Sequence, residues 1–340
     1  MQSCKKEIKT YRNFGVQILR LFLCFWVVVD HCLSYHIKMQ YYSIFKNNLH
    51  VPCFIVISFF FSYDTIRGRN ISKVKKRFER LLIPYFVLPI IILVINNLSF
   101  VSFNISFFGN IITLRDLFVQ YIIGRKIIYV FWFQFFLIWT TLLFVIISFA
   151  AKKRYLLIIE HIYILSYLLR YSNLNYQFFI QYSLIIQNSV GQFLEVMPMS
   201  VSGSIIASSN IFKIIQLYNK KVIYLSAIAL IFIIKYNIFS DINLFAFGGM
   251  ILDICSVLLF FIFYLFPLNN IKSPYIKKLI NLITNNTQGI YSIHQLVRMA
   301  LLSKVDQIKN GSFSGCVLIY IFSYFISFIG EKLTKRTKLS

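Results

Sequence analysis

Ten apolar runs, with Lys and Arg gathered between every second pair of them, constrain this chain more than any other feature. The runs cover approximately residues 14–33, 51–66, 81–98, 127–150, 155–171, 190–208, 222–239, 244–266, 288–303 and 313–330. With the N-terminus placed in the cytoplasm, the inside segments hold 24 of the 35 Lys and Arg. The outside segments and outer span ends hold nine, and Arg20 and Arg298 fall within runs. Such asymmetry is what the positive-inside rule gives for ten spans, and one span more or fewer would scramble it. The expected fold is an all-α polytopic membrane protein, a bundle of about ten transmembrane helices with both termini cytoplasmic. Several runs fall short of the roughly 20 residues of a simple crossing.

Composition agrees. Of 340 residues, 58% are hydrophobic and the mean hydropathy is +0.71, more apolar surface than a soluble chain can hide. A net charge of +24 raises nucleic acid as a partner. The cations lie in short clusters between apolar runs, however, so the partner they fit is the lipid bilayer and not nucleic acid. Six cysteines (Cys4, Cys24, Cys32, Cys53, Cys255, Cys316) are scattered without a CxxC, so neither a disulfide framework nor a metal site is expected. The first run is too long for a signal h-region and lacks a small-residue cleavage site, and reads as a retained span.

That first run, NFGVQILRLFLCFWVVVDHCL, carries Arg20 and His31. Ionisable groups inside a span are expensive and mark candidate sites. Eleven residues separate the two, roughly 20° past three helical turns, so they share a face about 16 Å apart along the axis. His31 falls at the outer end and Arg20 deeper. Asp30 points about 100° away from His31, a poor geometry for orienting the imidazole.

The connection after the second run, RGRNISKVKKRFERLLIPY, has two readings: a topology anchor facing anionic headgroups, or a grip for a polyanionic small molecule. Residues 99–126 read as an outer interfacial or re-entrant segment. Trp132 fits an aromatic belt or a cavity wall, and Gln134, slightly deeper, a cavity wall. The aromatic, amide-rich loop 171–189 suits a neutral sugar or is a plain loop. Glu195 precedes Pro198 near the outer end of the sixth run and must be paired or line a cavity; the small residues after it permit close helix packing. His294 and Arg298 share a helix face and stand open between a functional and a structural role.

Several segments together resemble the integral-membrane acyltransferase-3 family. They are ILRLFLCFWVVVDH with Arg20, ten residues and His31; VPCFIVIS; KRFERLLIPY at 76–85; FWF at 131–133; and IYSIH at 290–294. The resemblance covers the whole chain, 1–340, as a single transmembrane domain, and is nearest to polysaccharide O-acetyltransferases of capsule or O-antigen type. In one departure, Phe59 follows Ser58 where the family commonly has glycine. The resemblance implies transfer of acetyl from acetyl-CoA to a hydroxyl of a glycan or lipid-linked glycan, with Arg20 and His31 carried over as the family's first-span pair. His31 would act as base or transient acyl acceptor, Arg77 and Arg80 would hold donor phosphates, and Arg298 or Gln134 would supply an oxyanion donor. From the residues alone, a glycan transporter or flippase without acyl transfer is an open alternative. A polysaccharide polymerase fits less well, because no loop exceeds about thirty residues.

Overall fold

The computed structural model describes residues 13–40, 49–103, 112–124, 127, 131–171, 184–208, 219–239, 248–265, 273–302 and 305–336. Among the described residues there are fourteen α-helices, one short 3-10 turn and no strand. In hydrocarbon a lone spanning segment must bond its own backbone, so an apolar run of this length folds as a helix.

The helices are α1 (Phe14–Cys32), α2 (Tyr35–Gln40), α3 (His50–Arg67), α4 (Ile71–Phe103), α5 (Leu114–Ile123), α6 (Phe131–Ala150), α7 (Tyr155–Tyr171) and α8 (Leu184–Ser208). They continue with α9 (Asn219–Phe239), α10 (Gly248–Leu265), α11 (Pro274–Asn285), α12 (Thr287–Leu301), α13 (Asp306–Lys309) and α14 (Phe313–Arg336). Each expected span overlaps one of α1, α3, α4, α6, α7, α8, α9, α10, α12 or α14. By length and composition, four of the described segments can cross a membrane: Phe14–Cys32, Ile71–Leu98, Phe131–Ala150 and Phe313–Lys332. α4 begins ten residues before the expected span at 81. Its basic first turns are good helix formers, and the Asn70 side chain accepts from the Lys73 N–H at 3.0 Å.

α3 lies at the centre, packed on α1, α6, α8 and α10. Its Phe59 is buried with Phe144, Tyr155 and Phe260. Gly203 lets α8 come close: a Cβ there would strike the Val56 carbonyl of α3. Gly15 does the same for α1 against the Phe263 carbonyl of α10. Small residues at such crossings let backbones meet where lipid offers no hydrophobic drive. Outward, α4 exposes Ile83, Phe86, Val87, Ile90, Val94 and Ile95, an apolar face of the kind that acyl chains cover.

α5 and α6 return along α4 as an antiparallel ladder. Asn97 bonds both backbone groups of Ile112, at 2.8 and 3.1 Å. Further along, the Tyr121 hydroxyl reaches the Phe86 carbonyl at 2.7 Å, Gln134 reaches Leu81 at 2.7 Å, Arg77 reaches Thr141 at 3.1 Å, and Arg69 reaches the Ser148 carbonyl at 2.6 Å. The described part of 99–126 is thus the end of α4 plus α5 folded back against it. Residues 104–111 and 125–126 of that expected segment, and nearly all of the loop 171–189 up to α8, lie outside the described residues.

Two prolines sit inside α4. Pro84 has no N–H for the Arg80 carbonyl four residues back, and its ring crowds that oxygen. Gln288 of α12 donates to it instead, at 2.6 Å, and Gln134 of α6 takes the next carbonyl, that of Leu81. The break in α4 therefore becomes a junction of three helices. Removing the donor with Gln288→Leu is expected to cost about 0.5–1.5 kcal/mol, the net worth of a hydrogen bond to this exposed carbonyl. In a Pro84→Ala background, which returns an N–H to the helix, that cost is expected to fall by about half or more. Thermal unfolding of the four proteins in detergent measures the coupling, and strict additivity would refute it.

Candidate functional site

Against this junction lies a cavity of about 490 Å³. Four of its cations, Lys73, Lys76, Arg77 and Arg80, come from the first turns of α4. They recur at i, i+3, i+4 and i+7, so they share one helix face. Arg20 of α1 is the fifth, and among the described residues no acidic side chain lines the cavity. Five like charges around one volume repel each other, and a bound polyanion relieves that repulsion.

Arg77 is the most constrained of them. Its guanidinium donates to the hydroxyls of Thr141 at 3.1 Å, Ser58 at 3.0 Å and Ser62, on α6 and α3. Its charged carbon lies 5.2 Å from the Phe59 ring centre, within cation–π range. The phenylalanine standing where glycine is expected therefore fills the core and gives Arg77 an aromatic face. Ser58 lines the cavity as an acceptor for Arg77. All three acceptors are neutral, so the fork is oriented while its charge is not cancelled.

Arg20 donates to the Thr287 hydroxyl at 3.0 Å, and Thr287 passes its own proton to the Thr284 carbonyl at 3.0 Å. Both are on the bundle's basic side, where α11 meets α12. Phe54, Phe133 and Tyr291 line the cavity at greater depth, beside Gln134. The Phe133 and Tyr291 ring centres are 5.3 Å apart. Gln134 is buried, with its amide nitrogen on Leu81.

Beyond Tyr291 stands a pair of imidazoles. The Tyr291 and His294 rings are 6.1 Å apart, and His294 and His31 are 5.4 Å apart, tilted by 31°. His294 is wholly buried; His31 is half-buried. Arg298 donates to the His31 carbonyl at 2.8 Å. That carbonyl belongs to the last turn of α1, where helical acceptors lack donors and a cation complements the dipole.

α1 and α12 therefore run side by side in the same direction. Arg20 meets Thr287, Cys24 points its thiol at the Thr287 carbonyl (3.5 Å), and His31 meets both His294 and Arg298. The spacing on α1 that puts Arg20 and His31 on one face is matched by an equal spacing from Thr287 to Arg298.

The structure thus brings Arg20, Arg77, Arg80 and Gln134 to one cavity and His31, His294 and Arg298 to a second cluster beside it. Trp132, His294 and Arg298, expected as candidate cavity residues, do not line this cavity. Trp132 lies two residues from Gln134, roughly 200° around the helix, and packs edge-on against Phe136 at 6.1 Å. His294 and Arg298 are separated from the cavity by Tyr291. Glu195 belongs to α8, and its side chain lies outside the described residues. Among the described residues, no group of three metal-ligating side chains comes together. Sequence reading gave Lys73 and Lys76 only as members of the basic connection and Tyr291 only within IYSIH, and did not single out Thr287 or Gln288. The helical spacing of Lys73 and Lys76 with Arg77 and Arg80, and of Thr287 and Tyr291 with His294, was the signal available.

Fold and site together define a helical membrane protein with a cavity lined by five cations. Residues 13–332 match a family model described as an acyltransferase domain. The chain belongs to this acyltransferase-3 family and is a membrane acyltransferase. No curated protein and no solved structure matches it.

Neutralising the two exposed lysines with Lys73→Gln plus Lys76→Gln is expected to weaken binding of inorganic pyrophosphate roughly fivefold at low salt, at about 0.5 kcal/mol for each exposed charge. The difference should vanish near 1 M salt, where the Debye length is about 3 Å. Isothermal titration of the purified chain measures both.

Proposed function

We propose that this protein is an O-acyltransferase that moves acetyl from acetyl-CoA to a hydroxyl of a surface polysaccharide or its lipid-linked precursor. In this reading the chain is one domain over 1–340, a ten-span bundle of the cytoplasmic membrane with both termini inside. The observation that carries it is the contiguity of two unlike clusters. A cavity with five cations and, among the described residues, no acid lies on one side of Tyr291, and a histidine pair lies just beyond.

A CoA thioester has the matching form. Its phosphates are polyanionic, and its pantetheine arm is long and neutral. Lys73, Lys76 and Arg80 would meet the phosphates from the cytoplasm, with Arg77 and Arg20 deeper, and the arm would run past Phe133 and Tyr291 towards His31. There the thioester carbonyl would meet the acceptor hydroxyl. His31 removes the hydroxyl proton during attack, or takes the acetyl group on its ring nitrogen and passes it on. The anionic tetrahedral oxygen requires a donor. Arg298, already on the His31 carbonyl, is the cation nearest to that position, and Gln134, bonded to Leu81 across the cavity, is the second candidate. Arg20 is about 16 Å from His31 by helix rise and serves the donor, not the reacting atoms.

The test is O-acetyl content of surface polysaccharide, read by proton NMR, in cells carrying wild type, empty vector or His31→Ala at matched protein level. The signal is expected with wild type alone, with at least a hundredfold loss in His31→Ala. Equal signal in all three would favour the transporter reading, for which labelled glycan movement without acetyl-CoA is the positive observation.

A further inference from the structure

His294 is a buried titratable group that the mechanism above does not use. Its Nδ1 lies 2.8 Å from the Tyr291 carbonyl. A carbonyl only accepts, so Nδ1 carries the proton of the neutral ring and Nε2 is left as a bare lone pair. That Nε2 is buried and has no hydrogen-bond partner among the described residues. Stranding an acceptor in this way is costly, and such exceptions call for an explanation.

The neighbouring ring supplies one. The His31 and His294 ring centres are 5.4 Å apart. Each ring nitrogen is roughly 1.2 Å out from its centre, so a turn of the half-buried His31 ring about its side-chain bonds can bring one of its nitrogens to roughly 3 Å from Nε2, a hydrogen-bond length. The rings are held at this separation from both sides: Arg298 fixes the His31 carbonyl, and Tyr291 fixes the His294 ring.

Building on the acyl-transfer reading, we propose that His294 is a positioning residue whose Nε2 accepts the N–H of His31 and so fixes its tautomer, leaving the other His31 nitrogen unprotonated toward the acceptor hydroxyl. The proton inventory closes. The unprotonated His31 nitrogen takes the hydroxyl proton as the oxygen–carbon bond forms. The imidazolium donates to His294 through its other N–H. It then returns the proton to the thiolate released when the carbon–sulfur bond breaks. His294 stays neutral throughout. The same arrangement serves if His31 is the transient acyl acceptor, because attack also requires an unprotonated nitrogen.

The chain has five histidines, few enough for nitrogen-15 histidine NMR of the full-length protein in detergent, with His31 signals assigned by their loss in His31→Ala. In wild type His31 is expected as a single tautomer. In His294→Phe, which keeps the ring's bulk and removes the acceptor, it becomes a mixture. In His294→Gln, whose amide oxygen replaces Nε2, the single tautomer returns. Cellular O-acetyl signal is expected to fall at least tenfold in His294→Phe and to stay within about threefold of wild type in His294→Gln. CoA affinity by titration should be unchanged in both, which also establishes that both fold. An unchanged His31 tautomer in His294→Phe, or full acetylation by that variant, overturns the proposal. The tautomer readout needs no turnover. Loss of the acyl-transfer reading would instead show as O-acetyl signal surviving in His31→Ala.

Discussion

Pro84 strips the Arg80 carbonyl of its helical donor where α4 passes from its basic first turns into the apolar bundle, and the architecture around the cavity follows from how that carbonyl is satisfied. The carbonyl is exposed, and a side chain of another helix supplies its donor. Gln288 and Gln134 supply two amides to successive carbonyls of α4. In doing so they fix α6 and α12 relative to the turn that carries Arg77 and Arg80. The same bonds that repair the helix therefore set where the cations point.

The cations then determine what the cavity prefers. Arg77 is held by three hydroxyls, a solution that orients a guanidinium without spending its charge on a carboxylate. An acidic partner would stabilise the empty protein more and would compete with an anionic ligand. Hydroxyls leave the field intact, and Phe59 adds attraction without neutralising. The aromatic depth of the cavity, Phe133 and Tyr291, has no charge of its own. It lies between the cationic lining and the histidine pair, so the two clusters stay apart within one bundle.

Much of this was legible in the sequence, for identifiable reasons. Apolar runs with cations at alternate connections fall on helices because lipid leaves the backbone no other choice. Arg20 and His31 were legible as a pair because eleven residues make three turns. The matching run from Thr287 to Arg298 obeys the same arithmetic, but nothing in one sequence says that these two helices are neighbours. Arg77's acceptors were not legible, since Ser58, Ser62 and Thr141 come from two other helices and are ordinary small polar residues in isolation. Trp132, read as an aromatic belt or a cavity wall, lies roughly 200° around α6 from Gln134 and does not line this cavity. The start of α4 was placed late because hydropathy marks where charge ends, whereas a helix ends where its propensity and caps do.

The seam between α1 and α12 also dictates an order of events during synthesis. Arg20 and Thr287 are 267 residues apart in the chain, as are His31 and Arg298. At roughly 5–20 residues per second, the first helix waits some tens of seconds for the helix that completes it. Throughout that interval Arg20 is in a nascent span without its Thr287 hydroxyl, and His31 has neither His294 nor Arg298 beside it. The seam is therefore closed late, and a chain that stalls between these two helices leaves Arg20 and His31 in the membrane without the partners that α12 brings. The long-range pairing delays the packing of the first described helix until one synthesised much later has been inserted.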